Sequence, residues 1–175
     1  MIRSGSKVQN HLGCAMITAA WLLVLGLLYV LFDDVLDRQN NPNRDLSVQS
    51  EAHTAELTIR RNRDGHYILP GAINGRPVSL MVDTGATTVA IPAYLGPVLG
   101  LTPGASGRAI TANGEVRVRA TLIAELGIGP FRLREVRANL NPGMTGNQVL
   151  LGMSALRQME FTQRGDTLIL RLNRS

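Results

Sequence analysis

The sequence contains one cysteine, three histidines and few aromatic residues, which make up 4% of the chain. The single Cys14 excludes an intramolecular disulfide bond and a multi-cysteine zinc site. The histidines (His11, His53 and His66) lack the spacing of metal ligands, so we expect no metal and no other cofactor. The sequence has neither a Gly-x-Ser-x-Gly motif nor a glycine-rich phosphate-binding loop. This argues against a serine hydrolase of that type and against a nucleotide-binding domain.

Lysine is almost absent. Apart from Lys7 the basic residues are all arginines, and the net charge of the chain is +5. An arginine excess is compatible with nucleic-acid binding. However, Arg117 and Arg119 alternate with valines as on one face of a strand, and the aromatic side chains on which bases stack are missing. We therefore expect solvated sheet faces, or contact with an anionic membrane or envelope surface, and no nucleic-acid partner.

Residues 12–32 form an uncharged and strongly apolar run. These 21 residues are enough to cross a hydrocarbon core of about 30 Å at about 1.5 Å per residue. Arg3 and Lys7 precede the run, and aspartates follow it. Because basic residues stay on the cytoplasmic side, we expect residues 1–11 to be a cytoplasmic tail.

A cleavable signal peptide is the main alternative to a membrane anchor. Its apolar core is usually shorter, and small residues mark its cleavage site. Residues 29–32 (YVLF) stand where small residues would be needed. The sequence therefore predicts an uncleaved single-pass anchor over 12–32 in the cell (inner) membrane, with the rest of the chain on the extracytoplasmic (periplasmic) side.

Residues 33–55 are polar, rich in asparagine and interrupted by Pro42. A segment with so few apolar residues cannot bury enough surface to fold alone. We expect a flexible linker between the membrane and the domain. Because exposed linkers are readily nicked, self-cleavage there is one predicted route by which the domain is released.

Residues 56–175 consist of short apolar runs separated by turn signals, which is typical of an all-β sandwich or barrel. Residues 56–61 and 66–69 are predicted to pair as a hairpin. Asn74–Gly75 and Asn113–Gly114 have the residue types that type I′ hairpin turns require. Further strands are predicted over 89–92, 148–152 and a closing hairpin of 161–164 with 167–172, with a short helix over 153–158.

The most informative stretch is the apolar run that ends in Asp83-Thr84-Gly85. Such a tripeptide after a strand is often ordinary turn chemistry, in which the aspartate caps the turn and the glycine relieves strain. A carboxylate at the end of a buried strand is nonetheless costly unless it is paired. Two interpretations, a strand end and a catalytic carboxylate, follow from these residues alone.

Three motifs follow one another along the domain: residues 80–87 (LMVDTGAT), residues 111–114 (TANG) and residues 149–153 (VLLGM). In this order they resemble the catalytic loop, the flap hairpin and the apolar-glycine motif of the retropepsin-like aspartic proteases. The resemblance is closest to the membrane-anchored bacterial members and covers residues 56–172. It implies an all-β, single-lobe acid protease barrel with one short helix, preceded here by the transmembrane helix.

The resemblance also implies a role for each site residue. Asp83 would be the catalytic carboxylate, Thr84 would bond the partner loop, and Gly85 would let backbone approach the carboxylate pair. Ala86 and Thr87 would line the substrate site, with the Thr87 hydroxyl bonded to the Asp83 carboxylate. The flap tip that closes over an extended peptide would be Ala112, Asn113 and Gly114, and the residues packed under the catalytic loop would be Leu150, Leu151 and Gly152.

Aspartic protease chemistry uses two carboxylates about 3 Å apart that share a proton, one activating water and the other protonating the substrate carbonyl. The chain has one Asp-Thr-Gly and no second copy. The sequence therefore predicts a homodimer in which each subunit contributes Asp83. The alternative is that the fold serves as a binding or scaffold module without turnover.

Overall fold

The structure is a computed structural model that describes residues 5–43, 48–51, 54–111 and 114–172. The chain divides into two units, Met1–Gln39 and Asn40–Ser175. The first unit is helical: α1 runs from Gly5 to Asn40, and Ala15–Asp33 within it is long and apolar enough to cross a membrane, with a mean hydropathy of 2.4. A signal sequence near the N-terminus has the same properties.

The helix is longer than the apolar run of residues 12–32. It continues through the aspartates to Asn40 and ends just before Asn41, which precedes Pro42. The residue before a proline is disfavoured in the α conformation, so the helix ends where the first proline of the chain requires it.

The segment predicted to be a flexible linker, residues 33–55, is structured in its described parts. Besides the end of α1, it contains β1 (Val48–Glu51) and the buried side chain of Asn43. The Asn43 amide donates to the carbonyls of Arg60 (2.8 Å) and Ile68 (2.6 Å), and its oxygen accepts from the Arg60 N–H (2.7 Å). The Asn43 side chain thus makes the hydrogen bonds to Arg60 and Ile68 that the backbone of a neighbouring strand would otherwise make. We therefore do not expect self-cleavage at these residues, because proteases cut hydrogen-bonded backbone poorly.

The second unit contains a four-stranded antiparallel sheet in the order β1-β2-β11-β10. Its members besides β1 are β2 (Thr54–Arg60), β10 (Met159–Arg164) and β11 (Thr167–Leu172). The predicted closing hairpin of β10 and β11 is present. The predicted hairpin of residues 56–61 with 66–69 is wrong, because β2 pairs with β1 and β11, and only the isolated bridge Arg61–Tyr67 joins the two segments.

A seven-stranded sheet forms the rest of the unit in the order β3-β4-β9-β5-β8-β7-β6, and an additional β3–β7 pairing closes it into a barrel. Its strands are β3 (Ile68–Ile73), β4 (Arg76–Val82), β5 (Val89–Pro92), β6 (Ser106–Thr111), β7 (Gly114–Ile128), β8 (Phe131–Asn141) and β9 (Gln148–Leu151). Two short helices are attached, a 3-10 helix at Ala93–Leu95 and α2 at Met153–Leu156.

Both predicted Asn-Gly turns lie between paired strands. Asn74 (φ 49°) and Gly75 (φ 78°) both have the positive φ of a type I′ turn and join β3 to β4. β6 pairs with β7 up to Thr111 opposite Gly114, while Ala112 and Asn113 lie outside the described residues.

The core is built from the alternate residues of these strands. Leu80, Val89, Ile91, Val149 and Leu151 are fully buried and lie on the three strands, β4, β5 and β9, that surround the Asp-Thr-Gly segment. Burying a side chain of this size contributes about 1.5–3 kcal/mol. The Asp-Thr-Gly segment therefore follows directly from strands that are tightly packed in the core.

Candidate active site

Asp83 follows β4, which pairs in parallel with β9 so that Val82 lies opposite Leu151. The Asp83 N–H donates to the Leu151 carbonyl at 3.1 Å and extends this pairing by one residue. The half-buried Asp83 side chain is thus presented at the carboxyl ends of two parallel strands, at a position fixed by main-chain bonds.

The chain turns sharply around the Asp83 side chain. The Gly85 N–H donates to Asp83 Oδ1 at 2.9 Å, and the Ala86 N–H donates to the Asp83 carbonyl at 3.3 Å. A Cβ atom on Gly85 would lie 3.2 Å from the same Oδ1, so glycine provides room for the carboxylate. The bond expected from the Thr87 hydroxyl is not among the hydrogen bonds of the described residues. The backbone of Gly85 is the group that meets the carboxylate instead.

Helix α2 holds the far side of this turn. The Met153 N–H donates to the Ala86 carbonyl (2.8 Å), and the Ser154 N–H donates to the Thr87 carbonyl (3.1 Å). The Ser154 hydroxyl accepts from the Val89 N–H at 3.0 Å and donates to the Arg137 carbonyl at 2.6 Å. Sequence reasoning missed Ser154, because a serine in a short helix has no signal that separates it from a surface residue.

Gly152 lies directly beneath the turn. A Cβ atom there would be 2.7 Å from the carbonyl oxygen of Ala86 and closer still to that of Thr88. Leu151 is fully buried in the core, and Leu150 is half-buried and faces the cleft described next. The structure therefore places Leu150, Leu151 and Gly152 at the base of the Asp83 loop.

A cleft of about 1080 Å³ lies above the Asp83 loop. One side is the loop itself, with Asp83, Gly85, Ala86 and Thr87, and the opposite wall is the β6–β7 hairpin with residues 107–111. Thr84 does not line this cleft. Its side chain is exposed and has no hydrogen bond within the described chain. Gly114 is exposed at the start of β7, also outside the lining, so of the predicted flap tip no described residue touches the cleft.

Two cleft residues were not predicted. Asn139 on β8 donates its side-chain N–H to the Thr88 hydroxyl at 2.8 Å, while its Oδ1 is buried without a partner in the described part of the chain. Thr88 is the second hydroxyl of the run that follows Ala86. Its role is not visible in the sequence, because the pairing depends on β5 and β8 being neighbours.

The cleft has few charged lining residues among those that the structure describes. Among the described lining residues Asp83 is the one acid, and Arg108 is the one base, paired with Glu115 at 3.2 Å. The described residues contain no group of three or more His, Cys, Asp or Glu side chains that could hold a metal. One carboxylate can bind or activate a water molecule, but hydrolysis by a carboxylate pair needs a second acid.

Comparisons with known proteins agree with this geometry. Residues 69–158 match the family model described as "gag-polyprotein putative aspartyl protease". A crystal structure of a retropepsin-like aspartic protease from Rickettsia conorii superimposes with a TM-score of 0.58 and 29% identity, covering 73% of this chain and 96% of that one. The fold is therefore retropepsin-like.

Two curated relatives carry no assigned activity. An uncharacterised protein from the cobV 5′ region of Sinorhizobium sp. is 30% identical over 134 residues, and one of Rickettsia prowazekii (strain Madrid E) is 28% identical over 128 residues. These alignments cover 74% and 71% of this chain, but only 58% and 54% of the relatives. The chain thus spans little more than half the length of each.

Proposed function

Since the chain belongs to the retropepsin-like family of aspartic proteases, we propose that it hydrolyses peptide bonds with Asp83 as its catalytic carboxylate. One observation carries the proposal. Asp83 stands on the floor of a cleft large enough for several side chains of an extended peptide, on a loop fixed by main-chain bonds to β9 and α2. Preorganisation of this kind is what positions a reacting group.

The proposed enzyme is a homodimer. The cleft of one protomer contains one acid among its described lining residues, and aspartic protease chemistry uses two. A two-fold axis supplies the second as Asp83 of the partner subunit. The exposed Thr84 hydroxyl, which has no partner within the described chain, is then available to the partner's loop.

In the proposed mechanism the two carboxylates share one proton. The ionised carboxylate accepts a proton from a water molecule, which attacks the carbonyl carbon of the scissile peptide bond. The protonated carboxyl group donates its proton to the carbonyl oxygen, which gives a tetrahedral gem-diol. As the C–N bond then breaks, the carboxyl group that took the proton from water passes it to the leaving nitrogen, and the other carboxylate takes a proton from a gem-diol hydroxyl, which restores the shared proton. The Gly85 N–H, bonded to Asp83 Oδ1, keeps each carboxylate oriented while its protonation changes.

The test is the Asp83→Asn variant of the full chain, purified in detergent and assayed on fluorescently labelled casein. Asparagine keeps the shape of the side chain but cannot act as the base, so we expect a loss of about 10²–10⁴-fold in rate. Asp64→Asn, in an exposed turn, is the matched control and should retain full activity. Undiminished proteolysis by Asp83→Asn would contradict the proposal.

The alternative is a retropepsin-like binding or scaffold module without turnover. It is favoured by the same single carboxylate, because an isolated protomer lacks the second acid. A chain that binds peptides yet stays monomeric at every concentration and pH, with no cleavage, would support this alternative.

We also propose that α1 anchors the protein as a single-pass helix in the cell membrane, with the protease domain on the extracytoplasmic side. Support comes from the apolar span Ala15–Asp33 and from the basic residues that precede it. Two protomers in one membrane would have a raised effective concentration, which favours dimerisation. A C-terminal alkaline phosphatase fusion should be active, and recovery of the protein in the soluble fraction would contradict anchoring.

A further inference from the structure

A second cavity, of about 420 Å³, lies against the β6–β7 hairpin. Val116 and Val118 of β7 line the active-site cleft, whereas Arg117 and Arg119 line this second cavity, which we call the arginine pocket. Successive residues of a strand point to opposite faces of the sheet, so the two sites lie on opposite faces of one hairpin. The apolar part of the pocket wall comes from Ala93, Pro103, Leu140 and Pro142.

The segment before β6, which contains Pro103, forms a fixed wall of the arginine pocket. The Gly104 N–H donates to the Ala120 carbonyl at 2.7 Å, and the Ala120 N–H donates to the Ala105 carbonyl at 2.9 Å. Arg119 donates from its Nε to the Gly104 carbonyl at 2.7 Å. The Arg119 side chain is therefore held beside this wall, while its terminal N–H groups have no acceptor within the described chain.

The two arginines of the pocket have no acidic partner among the residues that the structure describes, and no acid is among the described lining residues. Elsewhere in the domain Arg171 pairs with Glu56 at 2.7 Å, and Arg108 pairs with Glu115 at 3.2 Å. Arg117 lies directly opposite Arg108 in the register of β6 and β7. Like charges opposite one another destabilise a pair of strands, so an anion beside Arg117 would relieve an unfavourable arrangement.

The charge and spacing of the two guanidinium groups match a phosphate monoester. Arg117 and Arg119 are two residues apart on one strand, with Cα atoms separated by about 7 Å, so both long side chains can reach one anion. A phosphate monoester carries about two negative charges near pH 7, and its terminal oxygens accept hydrogen bonds from more than one guanidinium. A carboxylate has a single charge and is matched by one arginine.

We propose that the arginine pocket binds a phosphate monoester, with the phosphate on Arg117 and Arg119 and the carbon part of the ester against Leu140 and the two prolines. The cavity volume falls in the range of small-molecule sites, about 300–1,000 Å³. A soluble ester and the headgroup of phosphatidic acid present the same chemistry. The inference goes beyond the proposed function, because no step of peptide hydrolysis uses these two residues.

Thermal unfolding of the full chain in an uncharged detergent, followed by circular dichroism, tests for binding. Inorganic phosphate or glycerol 3-phosphate replaces sodium chloride at constant ionic strength. A ligand that binds the folded state alone raises the Tm with its concentration. Phosphate also stabilises proteins without binding them, so the readout is the difference between the original chain and a pocket variant. The Asp83→Asn chain should bind both probes like the original, which separates this test from proteolysis.

Arg117→Gln is the main variant, because Arg117 makes no hydrogen bond within the described chain that its loss would break. We expect its affinity for both probes to fall by about tenfold or more. Without phosphate its Tm should equal or slightly exceed that of the original chain, since a charge opposite Arg108 is removed. Arg117→Lys keeps the charge without the forked geometry and should have intermediate affinity.

Arg134→Gln is the matched control, because Arg134 is exposed on β8 and its loss changes the net charge by the same amount. It should keep the original affinity for both probes. An equal loss of affinity in Arg117→Gln and Arg134→Gln would show that net charge alone attracts the anion, and would overturn the proposal. A Tm increase with phosphate that is the same in the original chain and in Arg117→Gln would overturn it as well.

Two further probes identify the class of ligand and its source. Hexanoate combines a carboxylate with a short carbon chain, and equally tight binding that also depends on Arg117 would overturn the assignment to phosphate. Native mass spectrometry of the full chain from micelles that contain phosphatidic acid counts bound lipid. More bound lipid on the original chain than on Arg117→Gln would support the proposal with a lipid headgroup as ligand. Equal lipid counts, with glycerol 3-phosphate binding that depends on Arg117, would support it with a soluble ester.

Discussion

Gly152→Ala tests whether the base of the Asp83 loop is as tightly packed as the structure shows. Gly152 has an extended backbone (φ −88°, ψ −176°), which alanine adopts without strain. On conformation alone the substitution should stabilise the protein by about 0.4–1 kcal/mol, because alanine restricts the unfolded chain. Any loss must therefore come from contact with neighbouring atoms.

The contacts predict a large loss. The new Cβ would lie 2.7 Å from the Ala86 carbonyl oxygen, which must withdraw by about 0.7 Å to reach the 3.4 Å of ordinary contact. The Thr88 carbonyl oxygen must move further. Both atoms belong to the backbone, so we expect overpacking to cost about 1–3 kcal/mol of stability. Because the loop carries Asp83, a shift approaching 1 Å should lower the rate by about 10²-fold.

Two assays separate these effects. Urea unfolding measures stability, followed by the β-sheet circular dichroism signal because the single Trp21 lies in α1 and does not report on the barrel. Casein hydrolysis in the absence of urea measures activity. Gly146→Ala is the control, since no atom lies within 4 Å of a Cβ there. If Gly152→Ala keeps both the original stability and the original rate, the close packing beneath the loop is refuted.

Two further substitutions test residues that the sequence did not identify. Asn43→Ala leaves three backbone groups of β2 and β3 without hydrogen-bond partners, so urea unfolding should show that stability falls by about 3 kcal/mol. Asn147→Ala, in an exposed loop, is the control and should change stability by less than about 0.5 kcal/mol. Ser154→Ala removes the acceptor of the Val89 N–H, so we expect stability to fall by about 1–3 kcal/mol and casein hydrolysis to slow. Ser106→Ala, at an exposed position, should change neither quantity. Equal effects of the two serine variants would contradict the role of Ser154.

The parts of the fold that local sequence determines were predicted correctly. The Asn74–Gly75 turn follows from the positive φ that its two residues tolerate, and β9 follows from an apolar run that ends at Gly152. The Asp83 loop could be found for the same reason, because its signal is a compact run of neighbouring residues.

The parts that depend on distant pairing were missed. Apolar and polar residues alternate along β2 as they would in a strand of any hairpin, and nothing in its sequence shows that its partners are β1 and β11. The polar composition of residues 33–55 indicated a linker, but Asn43 is polar because it bonds the backbone of two strands. Sequence pattern describes faces and turns, while the identity of a strand's neighbour is decided by packing of the whole core.

Asp83 is proposed to be a catalytic carboxylate that is completed by a second copy of the chain. This proposal is tested most directly by the distance between the two Asp83 carboxylates in an experimental structure of the full-length protein as it assembles in solution. We expect a separation of about 3 Å across a two-fold axis, close enough to share a proton. A dimer in which the two carboxylates lie far apart, beyond the reach of one water molecule, would contradict it.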